Sequence, residues 1–407
     1  GGLTFKTTGL NFVYSAQSST FTLTGSSSFS FNSQNIGVNF GGYDSYFGSA
    51  PTAGLVITNG NLSSVDMIVT SSISVGSLSF SPDHLRFTQN LQNSNNIFTM
   101  TGATSFSAVG LGSVSATFGT AATNGNPATT GLVITNNSFT SLDMSLNSNI
   151  IVDSVGFSTN GLRFTYQPSS DQFTLAGKAS ATVGGISNMG VTFGYTANGV
   201  TNPGLVVKSG SLVNLDLTVN SSISVGGVTF ETTGLRFTYA QSTKTFTLGG
   251  SVSISADGMN GMWATFGYTN PDSSTVPGLT IVGGNLENLS LTVTSGFAVG
   301  GISFSVKNLN FTYQNLSQIP GGSYSGAGVY TGTYSGTYDS SKYQFNMSGT
   351  AYLTIGGMTD LSVTFGYSGP VNGGIKTNTN LIIVNGKLEA IDMTVTTGFT
   401  VGDVQFG

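Results

Sequence analysis

Few residues in this chain could carry out chemistry. His84 is the only histidine in 407 residues and there is no cysteine. That excludes the common Cys/His zinc sites and leaves His84 as the one histidine on which a Ser-His triad could be built. His84 replaces the Gly234 of a sister motif and reads as a surface histidine on a strand-to-strand turn. Asp66, Asp143, Asp216 and Asp392 share one place in a recurring block, with Ser290 in the remaining copy. Calcium takes about six to eight oxygen ligands. These carboxylates fall a whole repeat apart, with no D-x-D run beside them, so they cannot share an ion. Flanked by apolar neighbours such as Val65 and Met67, they should point outward and accept a hydrogen bond from a nearby turn or threonine. Arg86, Arg163 and Arg236 also share a position, filled by Asn11 and Asn310 in the outer copies. They read as a solvated face, not a phosphate site. No catalytic, cofactor-binding or metal-ligating residue is assigned, and the chain is expected not to be an enzyme.

Contact chemistry is better represented. Residues 314–343 hold Tyr324, Tyr330, Tyr334 and Tyr338 among glycine, serine and threonine. Tyrosine offers a large amphipathic surface at low entropic cost, so this insert could be an adhesive loop that stacks on sugars or docks on a neighbour. A decorative hairpin is the plainer reading. Trp263, the only tryptophan, alternates with Met262, Ala264 and Phe266 and should face outward as an exposed contact. Thr22, Thr99, Thr174 and Thr247 share a position, as do Thr117, Thr192, Thr265 and Thr364. Outward threonine on a flat sheet can order water and so bind ice. Ordinary β-propensity and cross-strand threonine pairs account for the same residues.

The elements that must hold these residues are strands. In Ser222–Ser255, apolar residues occupy every second position: Ile223 and Val225, Val228 and Phe230, Leu235, Phe237 and Tyr239, Phe246 and Leu248. Period two is the mark of strands with one buried face. No helical periodicity is present. The stretch recurs at intervals of about 75 residues, anchored by Leu10, Leu85, Leu162, Leu235 and Leu309. Repeats are bounded at 1–76, 77–153, 154–226, 227–300 and 301–402, and 403–407 begins a sixth. Length varies at two places in the repeat, which should be surface loops.

The expected fold is all-β, a repetitive β-solenoid built from five tandem repeats, because no linkers separate the repeats and inward positions keep their type. An extended antiparallel β-meander, or tandem β-sandwiches, are the alternatives, since Leu235–Leu248 reads equally well as a hairpin. Gly1 opens in the phase of Gly227 and Phe406 closes in the phase of Phe304, so the sequence reads as a segment of something longer.

Charged residues are 7% and the net charge is −5, against an average charged fraction near 25%. That excludes a nucleic-acid footprint, which needs clustered Lys and Arg. Hydrophobic residues are 38% and well patterned, so the chain should fold. No apolar run is long enough for a transmembrane helix, so no membrane insertion is expected within this segment.

The blocks Gly54–Val69 (G-L-V-I-T-N-G-N-L-S-S-V-D-M-I-V) and Ser222–Phe230 (S-I-S-V-G-G-V-T-F) resemble tandem repeats of giant bacterial surface proteins, of the filamentous-haemagglutinin-like, β-solenoid adhesin class. The resemblance implies an extracellular, elongated, non-enzymatic protein at the cell surface and transfers no binding residue. The expected function is therefore a segment of a fibre, stalk or surface layer that self-associates or continues into a filament. An adhesin for cell-surface glycans is the alternative, and an ice-binding protein a minor one.

Overall fold

The computed structural model describes the chain except for residues 1–2, 8, 32, 49–52, 92–96, 123–127, 137, 160, 198–199, 233, 270–274, 316–342, 357, 372–373, 378–379, 402–403 and 407. The protein is all-β, and the strands pair antiparallel throughout the described residues. Consecutive strands are neighbours, as in the meander alternative. The parallel coil-on-coil stacking of a solenoid is confined to isolated bridges at turns. The physical reason lies in the turns: links such as Gln241–Lys244 are too short for anything but a hairpin.

The chain divides into two compact units. One holds 1–152, 157–179 and 192–215; the other holds 153–156, 180–191 and 216–407.

In the first unit, Leu78–Asn90 pairs along its length with Ile97–Ala108, from Phe80↔Phe106 to Asn90↔Ile97. On its other side Ile97–Ala108 pairs with two strands laid end to end, Gly112–Phe118 and Gly131–Thr135. Both of these pair in turn with Ser138–Leu146, which carries Leu162–Gln167 on its far edge. Each such layer is called a rung. The third rung is interrupted: the chain leaves it after Phe118 and rejoins it at Gly131. Gly131 has φ +77°, and a Cβ there would collide with the Met100 carbonyl, so only glycine lets the strand resume against its neighbour. In the second unit Ile302–Asn315, Tyr343–Ile355, Met358–Phe365 with Asn380–Val384, and Lys387–Val395 repeat this order.

The fourth rung bends where its ladder breaks, and a serine fills the gap. The hydroxyls of Ser71 and Ser148 accept the backbone N–H groups of Gly37 and Ser115 at 2.8 and 2.9 Å. Ser221 and Ser295 do the same for Gly190 and Trp263 at 2.7 and 2.8 Å. A broken ladder thus keeps its donors satisfied.

Within each unit, hairpin turns of successive repeats meet. In the first, the Val109 N–H donates to the Gly210 carbonyl and the Leu212 N–H to the Val109 carbonyl, both at 2.9 Å. In the second, Gly184 bonds Gly284 and Leu286 at 2.8 and 2.7 Å, and Asp257 bonds Gly386 and Leu388 at 2.8 and 3.3 Å. The inward faces enclose a dry core. Phe29 stacks on Phe87 at 5.1 Å and Phe106 on Phe164 at 5.2 Å, joining residues of successive sequence repeats. Phe80, Phe164, Phe230 and Phe237 are fully buried, as the period-two reading expects.

Candidate functional site

The recurring carboxylates lie on the outward side of the fourth rung but are not solvated. Asp66, Asp143 and Asp216 are 7%, 6% and 1% exposed. Each is gripped by the arginine of the next rung. Arg163 donates through Nε and Nη2 to both oxygens of Asp143 at 2.9 and 2.8 Å. Arg236 grips Asp216 in the same way at 3.0 and 2.6 Å, and Arg86 grips Asp66. The hydrogen bond to the carboxylate raises the pKa of Arg86 and Arg163 above the usual guanidinium value. This corrects two expectations. The aspartates do not rely on a turn or a threonine, and the arginines, though 37–46% exposed at the side chain, are not a merely solvated face. Antiparallel pairing is the reason: Asp66 sits opposite Thr88 and Ile68 opposite Arg86, so a long arginine reaches the carboxylate diagonally. A signal was present in the sequence. Asp and Arg keep the same separation in all three pairs, and where Ser290 replaces the acid, Asn310 replaces the base at that separation.

His84 does not sit on a strand-to-strand turn. It lies inside the strand Leu78–Asn90, at the irregularity between Pro82 and His84. Its Nδ1 lies 2.9–3.0 Å from the Asp44 carboxylate, and its ring stacks on Tyr46 at 5.2 Å. Asp44 also caps the short turn Ser45–Phe47, accepting the Tyr46 N–H at 2.9 Å. Phe47 lies under the Arg86 guanidinium at 5.8 Å. The histidine fastens the loop that interrupts one rung to the strand of the next repeat. No nucleophile joins it in these contacts.

Trp263 is 45% exposed, opposite Ser253 in the neighbouring strand, and no other aromatic residue stacks on it among the described contacts. The threonines pair with each other: Thr165 with Thr174 at 2.9 Å and Thr238 with Thr247 at 2.6 Å. Tyr324, Tyr330, Tyr334 and Tyr338 lie outside the described residues. Their insert springs from a hairpin whose last pair is Asn315↔Tyr343. Among the described residues no group of three or more His, Asp or Glu could hold a metal ion, and no helix is long and apolar enough to cross a membrane.

The geometry is that of a surface held together by internal pairings, with exposed aromatics at Trp263, Tyr43 and Tyr46. Compared with known proteins, the chain matches no protein-family model, no curated protein and no solved structure.

Proposed function

We propose that this chain is a non-enzymatic structural segment of an extracellular fibre, stalk or surface layer, wound from successive β-repeats that follow one another like coils of a solenoid. The observation that carries the reading is an edge strand, Asn11–Ser15, that pairs with Thr20–Phe31 and keeps large apolar side chains at its surface. Phe12 and Tyr14, on Asn11–Ser15, are 54% and 53% exposed. Phe87, Phe164, Phe237 and Phe311 occupy the same place as Phe12 and are fully buried, and Tyr239 and Tyr313, in the place of Tyr14, are 9% and 0% exposed. A rung laid on the free side of Asn11–Ser15 would bury Phe12 and Tyr14. Unpaired strand edges with apolar side chains are templates for such pairing. Electron microscopy of the native material should show thin unbranched fibres or a regular layer. A compact, monodisperse monomer at high concentration overturns the reading.

A second reading, an adhesin for cell-surface glycans, draws on Trp263 and on the loops that interrupt every third rung. Glycan-array binding that is lost on deleting residues 318–340 would favour it. Ice binding draws only on the threonine columns, of which Thr174 and Thr247 bond the cross-strand threonines Thr165 and Thr238. Thermal hysteresis removed by outward Thr→Lys changes would favour it.

A further inference from the structure

We propose that the Asp–Arg pair is a register lock, resetting strand pairing at the joint between successive repeats after that pairing has been thrown out of step. Such a lock would act whatever the chain builds. At the joint of the first two repeats a tight turn sets the inner pairing, Ile73↔Phe80, Ser74↔Ser79 and Val75↔Leu78. Beyond it the ladder is disturbed twice. One strand bends at Thr70–Ser71, where Thr70 and Ser71 bond Gly37 instead. The other carries the irregularity between Pro82 and His84. Pairing resumes at Ile68↔Arg86, Met67↔Phe87 and Asp66↔Thr88. From Ile73↔Phe80 to Ile68↔Arg86, one strand has advanced five residues and the other six.

That odd residue matters because side chains alternate in and out. A slip of one residue would turn Phe87 outward and Arg86 into the core. The apolar column resists that slip, but it discriminates poorly against a slip of two residues, which keeps every side chain on its own face. The observed bidentate grip belongs to this register, in which the guanidinium stands opposite Ile68 with the carboxylate one diagonal away. The first paired residues past the disturbance include this pair, where a lock has most effect. A buried ion pair is a poor stabiliser on balance, because desolvation offsets attraction, and registry is the best-attested use of such groups. The Ser290–Asn310 joint keeps the same place, Ser290 opposite Thr312 and Thr292 opposite Asn310, with both halves neutral. The pair changes as a unit.

The test uses the whole chain. Asp66 is 7% exposed, while the Arg86 side chain is 37% exposed. Arg86→Asn strands a buried carboxylate and should lower the folding equilibrium about a hundredfold or more. Asp66→Ser leaves an arginine that water can reach and should cost less. The matched double variant D66S/R86N should recover most of the loss. D66S/R163N, of identical composition but broken across two pairs, should not. In the matched variant, amide exchange at Met67, Ile68 and Phe87 should quicken at least tenfold relative to Ile73–Val75, because the outer half of the joint has lost its lock. A mismatched variant as stable as the matched one overturns the proposal. So does unchanged exchange beyond the bend in D66S/R86N.

Discussion

Phe230 and Thr229 are adjacent and face opposite ways. Phe230 is fully buried, 5.9 Å from the ring of Phe345 and 6.3 Å from that of Phe266. Phe230→Ala should cost about 3–5 kcal/mol through lost transfer energy and the cavity left behind. Thr229→Ala, at a half-buried outward position, should cost under about 1 kcal/mol. Denaturant melts of the two variants check this, and equal losses would mean the faces are reversed. Tyr166 and Tyr239 give a pH dependence. Burial raises both above the ordinary tyrosine value. A hydrogen bond to Asp171 adds to this for Tyr166, and the charge of Asp153 adds to it for Tyr239. A raised folded pKa means the folded state holds its proton more tightly. The contribution is therefore complete below the unfolded tyrosine pKa of about 10 and is lost as pH rises beyond it. The melting temperature should fall as pH rises past 10, and Y166F/Y239F should flatten that slope. An identical slope in both proteins would dismiss the assignment.

Strands, hairpins and the positions of loops could be read from the chain, because each depends on neighbours in sequence. Period two marks the inward face, and the seven-position step from Tyr239 to Phe246 is a hairpin in the structure, where those residues pair directly. The meeting of turns from different repeats could not be read. Val109 and Ser211 lie more than one repeat apart, and what joins them is backbone hydrogen bonding at glycine turns, which leaves no apolar pattern. The Asp–Arg pairs left only their constant separation as a signal, because each half looks like an ordinary exposed polar residue until antiparallel register brings the two together. The register of the long hairpin leads to a prediction about its insert. Asn315↔Tyr343 continues the ladder that Gln314↔Gln344 and Tyr313↔Phe345 begin, just as Ala240↔Thr245 closes a hairpin four residues long at its turn. Replacing 315–343 by Gln-Ser-Thr-Lys, the sequence of 241–244, should leave circular dichroism and melting nearly unchanged, since loop closure costs rise slowly with length. Loss of the cooperative transition would show that the insert is part of the core.

At the scale of the whole molecule, the small number of charges bears on the proposed assembly. Charged residues are 7% of the chain, and three of its arginines are neutralised in pairs. Little long-range repulsion remains to keep copies apart, and salt has little to screen. Natural sheets protect open edges with lysine, proline, bulges or covering segments. The strand Asn11–Ser15, N-F-V-Y-S, has neither lysine nor proline and exposes Phe12, Val13 and Tyr14. Phe12 stacks on Phe21 at 5.0 Å and Tyr14 lies 4.4 Å from the same ring, so both rings already point the way an added rung would need. If association proceeds by adding rungs, two lysines here should stop it without harming the fold, since neither side chain is buried. Phe12→Lys with Tyr14→Lys should therefore reduce the species larger than monomer in light scattering, while the melting temperature stays within a few degrees. Association of the parent chain should change little between low and high salt. A double variant that assembles as well as the parent would move the contact away from this edge. Strong salt dependence would make charge, not strand pairing, the driving interaction.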